Sequence, residues 1–403
     1  MARKGINKRL IVIHPHSLQS LSRIFEYSEE GEFSYEGETY RFIICPLSHA
    51  NACMLRETFP FTSPSPAGLK AAVGMGDRIG LATPGHIRAV NKNVFPILAQ
   101  QSIRELSRTS RTFIEVLDDV SWSVFQEGYQ SGFGADGDHL KTLDDVDDAI
   151  EAGYTMFTVD PSEYVDTNVE RYTENELMEH FQALPWNNLH CDAKDFLGFY
   201  IGKKINVGGE EFIIEEKSLV KMAVKYSAAI GFAAKVFRHI KSRLGRVFDF
   251  EVSVDETTVP TSLLEHVFIA LELRRLGVKI TGLALRFEGR FEKAVDYLGD
   301  LTKFEESFKK HVFIAKTFGP YKLSIHSGSD KFSIFPIMSK FAYSMLHLKT
   351  AGTSYLEALR IVARHEPILF REIVKHAFDK FEIDRKTYDI STDLSRVPDP
   401  DKI

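Results

Sequence analysis

The sequence predicts a (β/α)8 barrel, an α/β fold of the TIM type, with an N-terminal extension and a large insertion after the fourth strand. From Gly74 onward, a short apolar strand, a polar strand end and an amphipathic helix follow one another repeatedly. Eight such units can be placed before the chain ends, and eight is the number that closes this kind of parallel barrel. An open doubly wound sheet is the alternative, but no G-x-G-x-x-G turn follows any predicted strand, so its usual dinucleotide signature is missing.

The division of the chain follows from where this repeat starts and where it is interrupted. Residues 1–73 hold two strand-like stretches and a hairpin-like turn, and we expect them to pack on the barrel as an extension. Residues 74–160 form the first half of the barrel and residues 217–390 the second half. Between the halves, residues 161–216 form an insertion with a charged helical segment and a hairpin at Gly208-Gly209. Residues 391–403 are a C-terminal tail.

Each predicted strand ends in polar residues, and several of the helices that follow have recognisable starts. Thr142 with Asp145 and Ser262 with Glu265 have the spacing of a capping box, in which each side chain accepts a hydrogen bond from the other residue's backbone. After the second strand, one long helix is predicted through Phe125. The predicted barrel strands are 78–82, 94–99, 132–135, 154–159, 247–254, 279–285, 321–325 and 345–348.

Composition excludes several classes of protein. The chain has 403 residues, 44% of them hydrophobic, which suits an ordinary globular protein with an ample core. A net charge of -6 without a basic stripe argues against a nucleic-acid surface. No apolar run is long enough to cross a membrane, and no secretory segment follows the basic start, so a cytoplasmic protein is expected. The three cysteines form no C-x-x-C pair and are expected to be reduced.

A barrel of this kind brings the carboxyl ends of all its strands to one rim, where residues distant in sequence can build a site. Three histidines, His139, His326 and His347, fall at or near predicted strand ends. Because neutral imidazole and carboxylate suit zinc or manganese, we predict that these histidines bind a divalent cation. The competing interpretation is that the polar side chains of the rim only pair with one another. The alternative ligands are Asp138, Asp255 and Glu256.

The stretch after His326 is predicted to turn and then begin a helix. Ser329 or Asp330 can cap this helix, which would direct its first backbone N–H groups toward the rim. Such a position suits a bound anion.

Five long segments stand out when the chain is taken as a whole, at 76–86, 132–141, 255–262, 326–331 and 347–354. Together they resemble the tagaturonate/fructuronate epimerase family, and the resemblance covers the chain from Gly74 to the end of the eighth unit. It implies a metal-dependent enzyme that inverts C4 of ketohexuronates, interconverting D-tagaturonate and D-fructuronate when bacteria degrade hexuronates. The partner it implies is therefore a small ketohexuronate; a homo-oligomer stays open.

Inversion at C4 of a 2-ketohexuronate constrains the mechanism. The C4 proton is next to neither the ketone nor the carboxylate, so enolisation cannot remove it, but the C4 hydroxyl is β to the ketone. Retro-aldol cleavage of C3–C4, with a metal-stabilised enediolate and rotation of the aldehyde, would invert the centre. This route needs a base and a proton donor on opposite faces. We assign these roles to Asp138 and Glu256, with Asp255 as the rival of Glu256.

The remaining rim residues are predicted to bind the substrate. Its carboxylate needs a cation or a helix start, for which Arg286, Lys331 and Lys349 are candidates. Lys349 could instead form a Schiff base with the ketone. Another sugar-acid isomerase or aldolase, a metal-dependent hydrolase and a sugar-acid binding protein stay open as alternatives. The full predicted substrate-binding set is His86, Gln101, Asp255, Arg286, Ser327, Lys331 and Lys349.

Overall fold

Eight parallel strands close into a barrel, which confirms the predicted fold class. The structure is a computed structural model and describes residues 1–4, 7–14, 24–90, 93–350, 353–387, 390–399 and 402. Ala351 and Gly352, which were predicted to follow the eighth strand, lie outside these described residues. None of the helices within them is long and apolar enough to cross a membrane.

The N-terminal residues form a small antiparallel sheet with the strand order β1-β2-β4-β3. Its apolar face packs against the barrel, because Leu10, Ile43 and Leu55 share a buried cluster with Trp122 of a barrel helix. The predicted hairpin is confirmed, with its turn after Tyr35. The elements are β1 (Ala2–Lys4), β2 (Asn7–His14), β3 (Glu29–Tyr35), β4 (Glu38–Cys45) and α1 (His49–Thr58).

The first barrel strand is β5 (Ala72–Met75), not the predicted stretch at 78–82. That stretch is a loop built around Asp77, whose carboxylate accepts hydrogen bonds from the backbone N–H groups of Ala82 and Thr83 at 2.7 and 2.8 Å. Its alternating apolar residues face solvent, since Ile79 is 56% exposed and Leu81 is 67% exposed. The sequence of this loop therefore has the alternating pattern of a strand although it forms none. The loop leads directly into α2 (Thr83–Ala89).

The next three strands lie close to their predicted places, but the predicted long helix is divided. Ser110 adopts a left-handed conformation with φ 52 and ends the first helix. Thr112 and Glu115 then form a new capping box. The predicted Thr142–Asp145 box is confirmed. These elements are β6 (Phe95–Ser102), α3 (Ile103–Thr109), α4 (Phe113–Glu127), β7 (Gly134–Leu140), α5 (Leu143–Glu151) and β8 (Met156–Val159).

The insertion after β8 consists of short helices and the predicted Gly208-Gly209 hairpin. Its helices pack on the long helix that follows, through buried residues such as Leu177, Phe181 and Phe196. The elements are α6 (Glu174–Gln182), α7 (Trp186–Leu189), α8 (Ala193–Tyr200), β9 (Lys204–Val207), β10 (Glu210–Ile213) and α9 (Glu216–Leu244).

The second half of the barrel follows the prediction closely. Ser262 and Glu265 form the predicted capping box. The elements are β11 (Asp249–Val254), α10 (Leu263–Arg275), β12 (Gly282–Leu285), α11 (Leu301–Phe318), β13 (Lys322–Ile325), α12 (Phe335–Ala342), β14 (Leu346–Thr350), α13 (Thr353–His365) and α14 (Pro367–Asp384).

The order of strands around the ring, β11-β12-β13-β14-β5-β6-β7-β8, decides which side chains meet. Strands four places apart face each other across the barrel axis, so β7 faces β13 and β14 faces β8. Two glycines leave room inside for polar side chains. A Cβ at Gly74 would lie 2.0 Å from Oε1 of Gln100, and a Cβ at Gly282 would lie 2.5 Å from Oε2 of Glu251. The interior of this barrel is therefore polar rather than purely apolar.

Candidate active site

A cavity of about 1090 Å³ opens at the carboxyl ends of the barrel strands. Residues from distant parts of the sequence meet there, as expected for this fold. Its floor is formed by side chains that point inward from β7 and β14, and its walls by the loops after the strands. The residues that line it include Gln100, Asp138, His139, Asp255, Glu256, His326 and Lys349.

The floor of the cavity is organised around the ammonium group of Lys349, which lies near the barrel axis. Its Nζ atom is 2.9 Å from Oδ2 of Asp136, 2.6 Å from Oδ1 of Asp138 and 3.1 Å from Oε1 of Glu251. It also donates a hydrogen bond to Oγ1 of Thr158 at 2.6 Å. Burial alone would lower the pKa of Lys349, but the three carboxylates raise it well above its usual value. Lys349 is thus a protonated counter-ion, which disfavours the Schiff-base alternative.

Glu251 of β11 connects this lysine to two histidines. Its Oε1 is 3.0 Å from Nε2 of His326, and its Oε2 is 2.9 Å from Nδ1 of His347. Burial would raise the pKa of Glu251, but Lys349 and His347 hold it well below its usual value. An ionised Glu251 accepts N–H groups from both rings, so it fixes the tautomer and orientation of each imidazole.

Asp138 and His139, consecutive residues of β7, form an ion pair at the edge of the floor. Nδ1 of His139 lies 2.8 Å from Oδ1 of Asp138. Burial alone would raise the pKa of Asp138, but the charges of His139 and Lys349 keep it well below its usual value. Burial would lower the pKa of His139, and Asp138 outweighs this effect and raises it to about 9. At neutral pH, Asp138 is therefore ionised and available as a base.

His139 and His326 meet over the barrel axis, because β7 and β13 are opposite strands. The centroids of their rings are 4.9 Å apart. With Nε2 held by Glu251, Nδ1 of His326 is directed at the opening, 3.5 Å from Oδ2 of Asp255. This Nδ1 is buried and makes no hydrogen bond within the described residues. Two imidazoles and the Asp255 carboxylate thus converge at the centre of the cavity.

Three of the predicted site residues do not line the cavity. His347 lies one layer deeper, held by Glu251, and does not line the cavity. Gln101 is buried outside the cavity, and its neighbour Gln100 faces inward and donates a hydrogen bond to Oδ2 of Asp138 at 3.3 Å. His86 lies on α2, away from the cavity, because the first strand is not where it was predicted.

Lys331 is also displaced from its predicted role as a carboxylate ligand. Its side chain is buried, and its Nζ donates to the backbone carbonyl groups of Glu292 and Val295 at 2.7 and 2.5 Å. The expected helix cap at Ser329 or Asp330 is absent, because α12 begins only at Phe335. The remaining predicted residues do line the cavity. These are Asp138, His139, Asp255, Glu256, Arg286, Ser327, His326 and Lys349.

Sequence reasoning gave no role to several residues that line this cavity or contact Lys349 below its floor. Glu251 could have been found, because it alternates with Asp255 on the inward face of β11. Asp136 and Thr158 carry the same signal on their strands. Arg104 and Lys293 carry no such signal, since they lie on a helix and in a loop, yet both line the cavity.

The fold and the cavity together define the class of protein. A closed (β/α)8 barrel carries ionised carboxylates, two facing imidazoles and a buried counter-ion at the carboxyl ends of its strands, and this is an arrangement for acid–base chemistry on a small polar substrate.

All of the chain, residues 1–403, matches the tagaturonate epimerase family. The chain belongs to that family and is an isomerase. A curated relative, the tagaturonate/fructuronate epimerase of Thermotoga maritima, is 48% identical over 367 residues, which are 91% of this chain and 75% of the relative.

Solved structures of a relative agree with the fold and confirm the resemblance found in the sequence. The native fructuronate-tagaturonate epimerase of Cohnella laeviribosi superposes with a TM-score of 0.86 at 39% identity, covering 95% of this chain and 76% of that one. A glycerol complex of the same enzyme gives 0.84 at 36% identity, covering 96% and 86%.

Proposed function

We propose that this protein is a cytoplasmic, metal-dependent C4-epimerase that interconverts D-tagaturonate and D-fructuronate by retro-aldol and aldol chemistry. The names of its relatives support the substrate pair. The observation that carries the mechanism is that Asp138 of β7 and the pair Asp255 and Glu256 after β11 line one cavity from different strands, with β8 between them in the ring. Inversion of a carbinol centre needs acid–base groups on opposite faces.

The reaction begins at the C4 hydroxyl. Asp138 takes its proton, the C3–C4 bond breaks, and the electron pair moves to C3 and the ketone to give an enediolate and an aldehyde. Because the ammonium group of Lys349 maintains the ionised state of Asp138, the base is ready at neutral pH. The aldehyde rotates, the enediolate adds to its other face, and the new alkoxide receives a proton from a carboxyl group in the loop after β11.

Glu256 is the proposed donor in the loop after β11. Asp255 already accepts a hydrogen bond from Ser253 and faces His326. Glu256, the next residue, is exposed at the mouth of the cavity and can approach the substrate from outside. The geometry therefore favours Glu256 as donor and gives Asp255 another role.

The cation-binding set proposed from the structure is His139, His326 and Asp255. The buried Nδ1 of His326 without a hydrogen bond is the observation that supports it, because such an atom suits a metal ligand. Within the described residues, no cluster of three His, Cys, Asp or Glu side chains is already assembled for a metal ion. A bound zinc or manganese ion would supply a Lewis acid for the C2 oxygen. Glu251 would hold His326 in place for it.

Product analysis on tagaturonate tests this function. The purified protein is treated with a chelator, and aliquots are assayed with and without added zinc or manganese. We expect fructuronate to form with the metal and its formation to fall strongly without it. Absence of the epimer under both conditions would contradict the function, and full activity after verified metal removal would contradict metal dependence alone.

A further inference from the structure

One side of the cavity is basic. Arg78 from the loop after β5, Arg104 from the first turn of α3 and Lys293 from the loop between β12 and α11 all line it. Glu105, a carboxylate that also lines this side, is held by Arg78, whose Nη2 and Nε lie 2.6 and 3.2 Å from its Oε1. Three cationic side chains thus line this side of the cavity.

Lys293 and the proposed base, Asp138, line the same cavity. Burial lowers the pKa of Lys293, and the charges of Arg78 and Arg104 lower it further, while Glu105 and Asp138 act in the opposite direction. Lys293 therefore interacts electrostatically with the two arginines and with Asp138. An anion bound at Lys293 would lie in the cavity that Asp138 also lines.

The segment that carries Lys293 is a built structure. It is a hairpin, residues 286–300, closed by an antiparallel bridge between Arg290 and Leu298. Lys331 holds the hairpin through the carbonyl groups on either side of Lys293, at Glu292 and Val295. β12 lies opposite β6 in the ring, so the hairpin reaches across the mouth of the barrel toward Arg104.

From this arrangement we infer that Lys293, together with Arg78 and Arg104, binds the carboxylate of the substrate. The inference rests on the proposed function and specifies which part of the substrate lies on which side of the cavity. In a 2-ketohexuronate the carboxylate carbon is two bonds from C4. With the carboxylate at Lys293, the C4 hydroxyl lies toward Asp138 and the ketone toward His139 and His326.

The position of the carboxylate has a consequence for the intermediate. Cleavage of C3–C4 leaves the carboxylate on the aldehyde fragment, 2-hydroxy-3-oxopropanoate, and the ketone carbons on the enediolate of dihydroxyacetone. The basic side would hold the aldehyde fragment by its carboxylate while its carbonyl group rotates about the adjoining bond. Charge-assisted hydrogen bonds to Arg and Lys suit such an anchor. Lys293 thus keeps the fragment in the cavity between cleavage and re-addition.

Calorimetric binding of two unreactive analogues tests the subsite independently of turnover. Galactonate carries the carboxylate, and galactitol has the same chain without it. We expect Lys293→Gln to raise the Kd of galactonate at least tenfold and to change that of galactitol less than twofold. Lys386→Gln, at an exposed lysine of the same cavity mouth, is the matched control and should change neither.

The outcomes separate this inference from the proposed function. An unchanged galactonate Kd in Lys293→Gln, an equal loss for both analogues, or an equal loss in Lys386→Gln would overturn the carboxylate subsite. Failure of the wild-type protein to form fructuronate would overturn the function instead, and the galactonate measurement would still report on the basic side. An unfolded variant is recognised by circular dichroism, and Arg104→Gln then provides the same comparison.

Discussion

The ammonium group of Lys349 shows how much of the site depends on one residue. It contacts three buried carboxyl groups, those of Asp136, Asp138 and Glu251, and is itself only 3% exposed. Removing one partner of a buried ion pair costs about 3–5 kcal/mol, because the remaining charge stays in a poorly solvating interior. We expect Lys349→Met to lower the free energy of unfolding by about this amount in urea denaturation. Lys204→Met, which removes an exposed surface pair with Glu211, should cost less than about 1 kcal/mol. Equal small losses in both variants would contradict the counter-ion role.

At the scale of elements, the hairpin 286–300 depends on Lys331 of the β13–α12 loop. Lys331 donates two hydrogen bonds to backbone carbonyl groups of the hairpin. Lys331→Met removes both, so the hairpin should open more often. We expect faster amide hydrogen exchange within residues 286–300 and a Kd for galactonate raised several-fold. Lys340→Met, in an exposed ion pair of α12 with Glu305, is the control. Unchanged exchange in the hairpin would show that Lys331 does not position it.

Contacts among α10, α11 and the start of β13 predict a loss of stability in acid. The hydroxyl of Tyr321 is 2.8 Å from Nε2 of His266, whose Nδ1 is 2.9 Å from Nδ1 of His311. Burial lowers the pKa of His266 well below its usual value and that of His311 to about 4. As the pH falls, these two histidines take up protons in the unfolded protein before they do so in the folded protein. Their contribution to the free energy of unfolding is therefore fully present above about pH 6.5 and is lost as the pH falls toward 4.

Urea unfolding of the wild type and of His311→Gln at about pH 7.5 and pH 5 measures this effect. The glutamine amide does not titrate, so the variant should lose about 2 kcal/mol less than the wild type between the two values. An equal loss in both proteins would assign the acid sensitivity to other groups.

At the scale of the whole molecule, the periodic parts of the sequence predicted the fold and much of the site. Alternation along strands placed Asp138, His326 and Lys349 correctly at the cavity, because side-chain direction in a strand follows from spacing alone. Gln101 was predicted only from its place at a strand end, and there an irregularity in the pairing of β6 between Ile97 and Ala99 directs Gln100 inward instead.

Alternation could not predict how deep in the barrel a side chain lies, or which distant residues it contacts. His347 has the same inward direction as Lys349 but lies one layer below it, and spacing does not show which layer reaches the cavity. The role of Lys331 depends on carbonyl groups of a distant loop, which no local pattern encodes.

The proposed retro-aldol and aldol route predicts the isotopic outcome of the reaction. In retro-aldol and aldol steps, only the C3–C4 bond and hydroxyl protons change, so the hydrogens on C3, C4 and C5 stay on their carbons. Fructuronate formed from tagaturonate in D₂O should therefore contain less than about 5% deuterium at these positions by NMR and mass spectrometry, with the same substrate kept in D₂O without enzyme as the control. One deuterium at C4 would contradict the mechanism by showing that the C4 proton is abstracted.

In Lys293→Gln, whose basic side no longer holds the aldehyde acid, free dihydroxyacetone should accumulate beside the epimer, because the enediolate is protonated at C3 once its partner has left.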